Sequence, residues 1–161
     1  MNTFGNSFRI TTFGESHGIA EGAVIDGCPS GITIDFGLID SDLARRKGPR
    51  NEPDKVEWIS GLLDGITTGT PLAFIIRNTD ARPQDYDMLK ERYRAGHADY
   101  TYQQRYSIRD HRGGGRSSAR ETVVRVVAGS IAKQILSAQG ITFCSEPMPN
   151  DPSCNTGGIV R

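Results

Sequence analysis

The stretch RGGGRSSARETVVRVVAGSIAKQILSAQG, residues 112–140, constrains the fold more than any other part of the chain. Its apolar residues recur at every fourth position in two parallel rows, and a stripe of that width predicts a helix buried along one side. Ser118 and Glu121 have the spacing of a capping box, in which the serine hydroxyl accepts from the amide of residue 121 and the glutamate reaches back. Gly140 predicts the end of the helix. The two rows are Val123, Val127, Ile131, Ile135 and Val124, Ala128, Ala132, Leu136.

The rest of the chain contains segments with the composition of strands and of helices. Residues 96–118 are polar, aromatic and basic without a sustained period, which predicts a long ordered loop. Irregular alternation of strands and helices, with antiparallel hairpins between strands, predicts an α+β fold, a layered β-α sandwich. A chain of 161 residues is expected to form a single domain, 1–161. Strands are predicted over 8–13, 20–27, 55–65 and 71–78, and helices over 37–46 and 85–94.

Composition and termini argue against several classes of protein. The net charge is zero, and no module motif for nucleic acid is present. No apolar run is long enough to cross a bilayer, and the first ten residues lack the features of a signal or transit peptide. Three widely spaced cysteines without a C-x-x-C pair do not indicate a metal site. We therefore expect a cytoplasmic protein with no bound metal, no nucleic acid and no membrane partner.

The charge is unevenly distributed along the chain. Residues 92–125 contain eight arginines against three acidic side chains, a net charge of +5 that the remainder balances. Arginine suits bidentate contact with phosphate and carboxylate. The three glycines at 113–115 allow close backbone approach at the start of the buried helix, beside Arg112, Arg116 and Arg120. This pattern predicts a phosphate site, and the alternative is a glycine-rich turn that only caps the helix.

The string FGESHG, residues 13–18, permits two interpretations. Gly14-x-Ser16-x-Gly18 has the spacing of a hydrolase nucleophile elbow, but that motif requires a helix after it, and a strand is predicted there. The other interpretation makes His17 the functional side chain. His97 is the second candidate acid or base, and Asp99 and Asp110 could orient it. Bound phosphate nearby would raise its pKa and suit a proton donor.

Three strings in this order, FRITTFGESHG, GHADYT and RDHRGGGRSSARET, resemble the chorismate synthase family. The likeness covers most of residues 4–140. It implies a lyase that forms chorismate by 1,4-anti elimination of phosphate from 5-enolpyruvylshikimate 3-phosphate, the last step of the shikimate pathway towards aromatic amino acids. It also implies reduced FMN as cofactor, NADPH as one source of the reducing electrons, a β-α sandwich and a homotetramer.

The resemblance assigns roles to eight residues. His17 resembles the family's acid, which protonates the reduced flavin, and His97 resembles the histidine that assists the departing phosphate. Residues matching FMN-binding positions are Arg116, Ser117 and Ser118. Residues matching arginines of the substrate and nucleotide site are Arg46, Arg94 and Arg120.

The sequence departs from the family pattern at several positions. The segment KGPRNEPD, residues 47–54, is shorter than the family's loop, and residues 144–161 stand where the family continues into a second half. Ala95 replaces a usual proline, and His111 replaces a residue such as tyrosine. The alternative to the enzyme is therefore an inactive fragment that retains folding, or only weak flavin and anion binding.

Overall fold

The computed structural model describes residues 2–46 and 52–143. The strands are β1 (Thr3–Phe4), β2 (Arg9–Gly14), β3 (Ala20–Asp26), β4 (Val56–Ser60), β5 (Leu62–Leu63), β6 (Ile66–Thr67) and β7 (Leu72–Arg77). The α-helices are α1 (Phe36–Arg46), α2 (Asp99–Tyr106) and α3 (Thr122–Ser137). Short 3-10 helices span Pro83–Leu89, Gly115–Ser117 and Ala119–Glu121. Most of the shorter KGPRNEPD loop and everything after residue 143, including Cys144 and Cys154, lie outside the described residues.

A five-stranded antiparallel sheet in the order β1-β2-β3-β7-β4 forms one layer, and α1 and α3 form the other. Alternate residues of β7 are buried, as expected for a strand with one face on a core. The helices cover that face. The first two turns of both rows predicted for α3 are buried, together with Ser130 and Ile131, whereas Ala132, Ile135 and Leu136 are only partly buried. The α+β sandwich predicted from the sequence is confirmed. The buried apolar core includes Ile10, Ala23, Ile25, Ile39, Leu43, Leu72, Phe74, Ile76, Val123, Val127 and Ile131.

The strand predicted over 55–65 is wrong as one element. β4 ends at Ser60, its register with β7 shifts between Trp58 and Ser60, and Gly61 separates it from β5. β5 pairs with β6 in a small separate hairpin. A helix over 37–46 and strands over 8–13, 20–27 and 71–78 are confirmed within one or two residues.

The α-helix predicted over 85–94 is also wrong, because its carbonyl oxygens are used elsewhere. Arg109 donates to the backbone oxygens of Leu89 (2.6 Å), Lys90 (3.1 Å) and Arg92 (2.8 Å). Only a 3-10 helix, Pro83–Leu89, remains of the predicted α-helix. Arg109 thus determines the local structure of a segment that precedes it by 17 to 20 residues in the chain.

The long loop predicted over 96–118 is wrong in part, because it contains α2. This helix has a largely polar surface, so it lacks the apolar stripe by which helices are found in a sequence. It begins at Asp99 and ends before Ser107, which adopts the left-handed conformation at φ 61°. The described helices include none that is both long and apolar enough to cross a bilayer.

The capping box predicted at the start of α3 does not form. The Ser118 hydroxyl accepts from the amide of Arg120 at 3.3 Å, and a 3-10 turn, Ala119–Glu121, comes before the helix. The Glu121 carboxylate points away from its own cap and accepts from the hydroxyl of Thr12 at 2.8 Å. Gly140 follows the end of the helix as predicted, at φ 76°.

Candidate functional site

The glycine run 113–115 brings the two candidate histidines to one place. All three glycines have positive φ, at 62°, 101° and 51°. A Cβ on Gly113 would overlap the ring of His17, and a Cβ on Gly114 would lie 2.9 Å from Nε2 of His97. Adjacent glycines therefore contact the two imidazoles, which come from positions eighty residues apart in the chain. Only glycine fits at positions 113 and 114, because the Cβ of any other residue would overlap an imidazole ring.

His17 lies buried on the loop between β2 and β3. Its Nδ1 accepts from the backbone N–H of Arg82 at 3.1 Å, and its ring packs edge-on against Tyr86 at 4.7 Å between centroids. Since Nδ1 accepts a hydrogen bond, the proton of the neutral ring lies on Nε2, the nitrogen beside Gly113. The ring is therefore held with a donor facing the glycine run.

The serine hydrolase interpretation fails on position and context. Ser16 is fully buried, whereas a nucleophile elbow exposes its hydroxyl at the top of a strand–turn–helix. The element after Gly18 is strand β3. The backbone N–H of Ser16 instead donates to the carbonyl of Gly115 at 3.4 Å, which ties this loop to the glycine run.

His97 is oriented by the first residue of α2. Its Nδ1 lies 3.0 Å from Oδ1 of Asp99, and Arg94 holds the other side of that carboxylate through Nε at 2.8 Å. Hydrogen bonds from Arg94 keep the pKa of Asp99 well below its usual range, so the carboxylate is ionised at neutral pH. Asp110, the other candidate orienting residue, accepts instead from Arg112 at 2.8 Å and 2.7 Å.

Arg116 lies between the glycine run and the sheet. Its Nη1 donates to Oε2 of Glu21 and to the carbonyl of Gly14, both at 3.1 Å, and its Nη2 donates to Thr12 Oγ1 at 2.6 Å. Its Nε is buried and has no acceptor among the described residues. Ser117 donates to the carbonyl of Gly114 at 2.7 Å. Sequence reasoning missed Glu21, although it occupies an inward position of β3, in phase with buried Ile25.

Arg46 and Arg120 form a second cluster on the other side of the start of α3. Arg120 Nη1 lies 2.9 Å from Asp54, and Arg46 Nη1 lies 3.5 Å from the same carboxylate. Arg46 also donates from Nε to the hydroxyl of Thr122 at 3.0 Å. Burial lowers the pKa of Arg46 from its usual value. One carboxylate thus holds together two of the arginines that the resemblance gives to the substrate and nucleotide site.

Several arginines of residues 92–125 form ion pairs with carboxylates of the same chain. Arg94, Arg112, Arg116 and Arg120 each contact a carboxylate, and two of those carboxylates, Glu21 and Asp54, come from outside the segment. The excess positive charge read from the sequence is therefore partly neutralised by residues brought in by the fold.

A cavity of about 750 Å³ opens beside the glycine run, which is within the range of about 300–1,000 Å³ typical of cofactor sites. Two tyrosines of α2 supply aromatic surface, and Glu15, Asp99 and Asp110 add carboxylates to the lining. Arg109, Arg112 and Arg116 bring guanidinium groups to the same lining, and guanidinium groups suit contact with an anion. Tyrosine rings beside guanidinium groups suit an aromatic ligand that carries negative charge. Arginine, serine and tyrosine residues of the lining are Arg109, Arg112, Arg116, Ser117, Tyr102 and Tyr106.

Comparison with known proteins places the chain in a family. A family model described as chorismate synthase matches residues 8–148. The chorismate synthase of Porphyromonas gingivalis is 55% identical over 161 residues, which is 96% of this chain and 44% of that protein. The chorismate synthase of Christiangramia forsetii is 58% identical over 142 residues, covering 84% of this chain and 40% of that protein.

A solved structure described as the crystal structure of chorismate synthase matches with a TM-score of 0.66 and 34% sequence identity. The match covers 85% of this chain and 36% of that one. The chain thus spans about two-fifths of the length of the curated relatives it matches. With the family model matching most of its residues, the chain belongs to the chorismate synthase family.

Proposed function

We propose that the protein is a lyase that forms chorismate from 5-enolpyruvylshikimate 3-phosphate, by 1,4-anti elimination of phosphate with reduced FMN present. In this reaction a C–O bond to phosphate and a C–H bond both break, and a new double bond forms. Family membership supports the proposal. The observation that carries it is the contact of His17 and His97 with adjacent glycines, of which Gly114 lines a cavity that also contains three arginines.

His97 is suited to protonate the departing phosphate. Asp99 holds the ring through Nδ1, which leaves Nε2 on the side of Gly114. The carboxylate at 3.0 Å from Nδ1 holds the ring in one orientation and so fixes which nitrogen faces a ligand. His97 therefore holds a proton at Nε2 and transfers it to a phosphate oxygen as the C–O bond breaks.

His17 is suited to present a proton to the other ligand of the site. The amide of Arg82 fixes its ring, and Nε2 faces the glycine run. Tyr86 and the surrounding loop keep the imidazole buried, which excludes bulk water from that proton. We assign His17 the family's role as proton donor to the reduced flavin.

Arg116, Ser117 and Ser118 would hold the flavin. When bound, reduced FMN supplies an electron transiently to a reaction that has no net redox change. Arg46, Arg94 and Arg120 are assigned to the carboxylates and phosphate of the substrate and to a nucleotide. NADPH is one candidate for the reductant.

A guanidinium has five N–H donors, so an arginine that is already paired can still bind substrate. Arg94 uses Nε and Nη2 on Asp99, and within the described residues no acceptor contacts its Nη1. The carboxylate partners then keep each arginine in position before substrate arrives.

The proposal extends to the setting of the enzyme. We propose a single folding domain over residues 1–161, a homotetramer and a cytoplasmic location, with no nucleic-acid or membrane partner. Each of these follows from the family likeness and the composition.

Flavin titration under reducing conditions tests the proposal against an inactive, weakly binding protein. Reduced FMN would be titrated anaerobically with and without 5-enolpyruvylshikimate 3-phosphate, with binding followed by flavin absorbance. An enzyme that assembles one site from both ligands binds reduced FMN more tightly when substrate is present. Equal affinity in the two titrations, or no binding in either, would support the inactive alternative.

A further inference from the structure

Glu21 is a buried acid that the chemistry above does not use. It lies on β3 with no exposed surface, and its Oε2 accepts from Nη1 of Arg116 at 3.1 Å. The other oxygen, Oε1, is buried and has no hydrogen-bond partner among the described residues. Burial raises the pKa of Glu21 to about 7 in spite of the neighbouring arginine. The carboxyl group can therefore gain or lose a proton near neutral pH.

Charged groups face Glu21 from every element around it. Arg116 comes from the 3-10 turn after the glycine run and is the nearest cation. The cations favour the ionised form of Glu21, and the acids oppose it. The other groups are Glu15 on the β2–β3 loop, Arg120 and Glu121 on the 3-10 turn before α3, and Arg46 on α1.

We propose that Glu21 is a proton-linked counter-ion of Arg116, which takes up a proton when a phosphate-like dianion binds in the cavity lined by Arg116. The inference rests on the proposed function in one respect: Arg116 serves an anionic ligand. Glu21 is a positioning residue, because it acts on the ligand through the guanidinium and not by direct contact.

The linkage follows from electrostatics. A dianion and the Glu21 carboxylate compete for the same guanidinium, and they repel each other across a site with a low dielectric constant. Protonation of Glu21 removes this competitor and leaves Glu121, whose Oε1 lies 3.4 Å from Nη2, as the remaining carboxylate partner of Arg116. The proton comes from solvent, and the reaction is carboxylate plus proton to carboxylic acid. Anion affinity is therefore highest below the pKa of Glu21 and falls as pH rises through it.

Sulfate is the appropriate probe, because it remains a dianion from pH 5.5 to 8.5, whereas phosphate titrates in that range. The dissociation constant of sulfate would be measured by calorimetry at constant ionic strength across this range. We expect affinity to fall about tenfold in the wild type, equivalent to a pKa shift of about one unit. The Glu21→Gln variant should bind sulfate at every pH with the affinity that the wild type shows at pH 5.5. The control variant Glu57→Gln, on β4, should keep the pH dependence of the wild type.

A flat profile in the wild type, or an unchanged slope in Glu21→Gln, would overturn the proposal, as would the absence of sulfate binding. A second measurement needs no variant. The side-chain carboxyl ¹³C resonance of Glu21 would be titrated with and without sulfate, and its midpoint should rise in the presence of sulfate. An unmoved midpoint would overturn the proposal. These readouts are separate from turnover, so an inactive protein that shows the linkage contradicts only the proposed function.

Discussion

His97 Nδ1 lies 3.0 Å from Oδ1 of Asp99, and Arg94 donates to both oxygens of that carboxylate. The residue that orients the imidazole is thus itself fixed in position before any ligand binds. Because hydrogen bonds from Arg94 keep the pKa of Asp99 low, its negative charge remains available to His97 throughout the neutral range. The imidazole is therefore held in one orientation by residues of the free protein.

Replacing Asp99 with Asn should impair turnover more than folding. The amide can still occupy the site, but it carries no charge and can present its NH₂ group to the ring, which disturbs the tautomer and the orientation of the imidazole. We expect kcat to fall by a factor of about 100, within the range for loss of a general acid. Steady-state kinetics with excess reduced flavin would measure it.

Asp26→Asn, at an exposed position at the end of β3, is the matched control and should retain wild-type kcat. Wild-type kcat in Asp99→Asn would show that Asp99 does not act through His97.

Gly114→Ala should reduce turnover by more than backbone strain alone would explain, because the new methyl group would clash with His97. A Cβ at this position would lie 2.9 Å from His97 Nε2, at φ 101°. Gly140→Ala has a similar φ of 76° but would contact nothing within 4 Å, so it reports backbone strain alone, about 1–2 kcal/mol.

Urea denaturation would give the free energy of unfolding of both variants, and kinetics would give their turnover. We expect turnover to be lost in Gly114→Ala at a temperature where both variants are folded. Equal turnover in the two variants would argue that the close approach of Gly114 to His97 has no functional role.

Glu21→Gln should stabilise the protein at high pH but not at low pH. The pKa of Glu21 is about 7 in the folded chain and 4.5 as its ordinary value. Between these values the folded state keeps a proton that the unfolded state has released, so stability of the wild type declines as pH rises. The variant avoids this loss, which we expect to reach about 3 kcal/mol above pH 7.

Chemical denaturation at pH 5 and pH 8 measures the difference, with Glu57→Gln as the control. A stability difference between Glu21→Gln and wild type that is the same at both pH values would contradict the assignment of a raised pKa.

Arg116→Lys should weaken flavin binding while the fold is retained. Lysine keeps the positive charge but cannot donate to Glu21, Gly14 and Thr12 simultaneously as the guanidinium does. We expect the dissociation constant for FMN to rise about tenfold to a hundredfold, measured by fluorescence quenching of the flavin. Arg9→Lys, exposed on β2, should bind FMN as the wild type does. An unchanged affinity in Arg116→Lys would move the flavin site elsewhere.

The sequence predicted the layers of the fold because their signals are local. The period of four in α3 and the alternation in β7 each mark a buried face by themselves. The errors over 85–94 and 96–118 have a different origin. Carbonyl oxygens near Leu89 are used by Arg109, and α2 has a polar surface, so neither feature is visible in a short window of sequence.

The sequence suggested members of the candidate site but not how those members contact one another. Sequence strings identified His17, His97 and the glycine run, and the contact of each histidine with its own glycine emerged only in three dimensions. Glu21 was missed because a glutamate within a strand suggests a solvent-exposed position. Its inward phase with Ala23 and Ile25 was the available signal.

The most direct test of the account is anaerobic turnover of 5-enolpyruvylshikimate 3-phosphate with chemically reduced FMN, with chorismate and phosphate quantified together. We expect equimolar chorismate and phosphate from the wild-type chain. We also expect loss of both products in His17→Ala and His97→Ala, with partial recovery of His97→Ala on addition of imidazole. Bound reduced flavin with no chorismate from the wild type, or undiminished chorismate from His97→Ala, would contradict it.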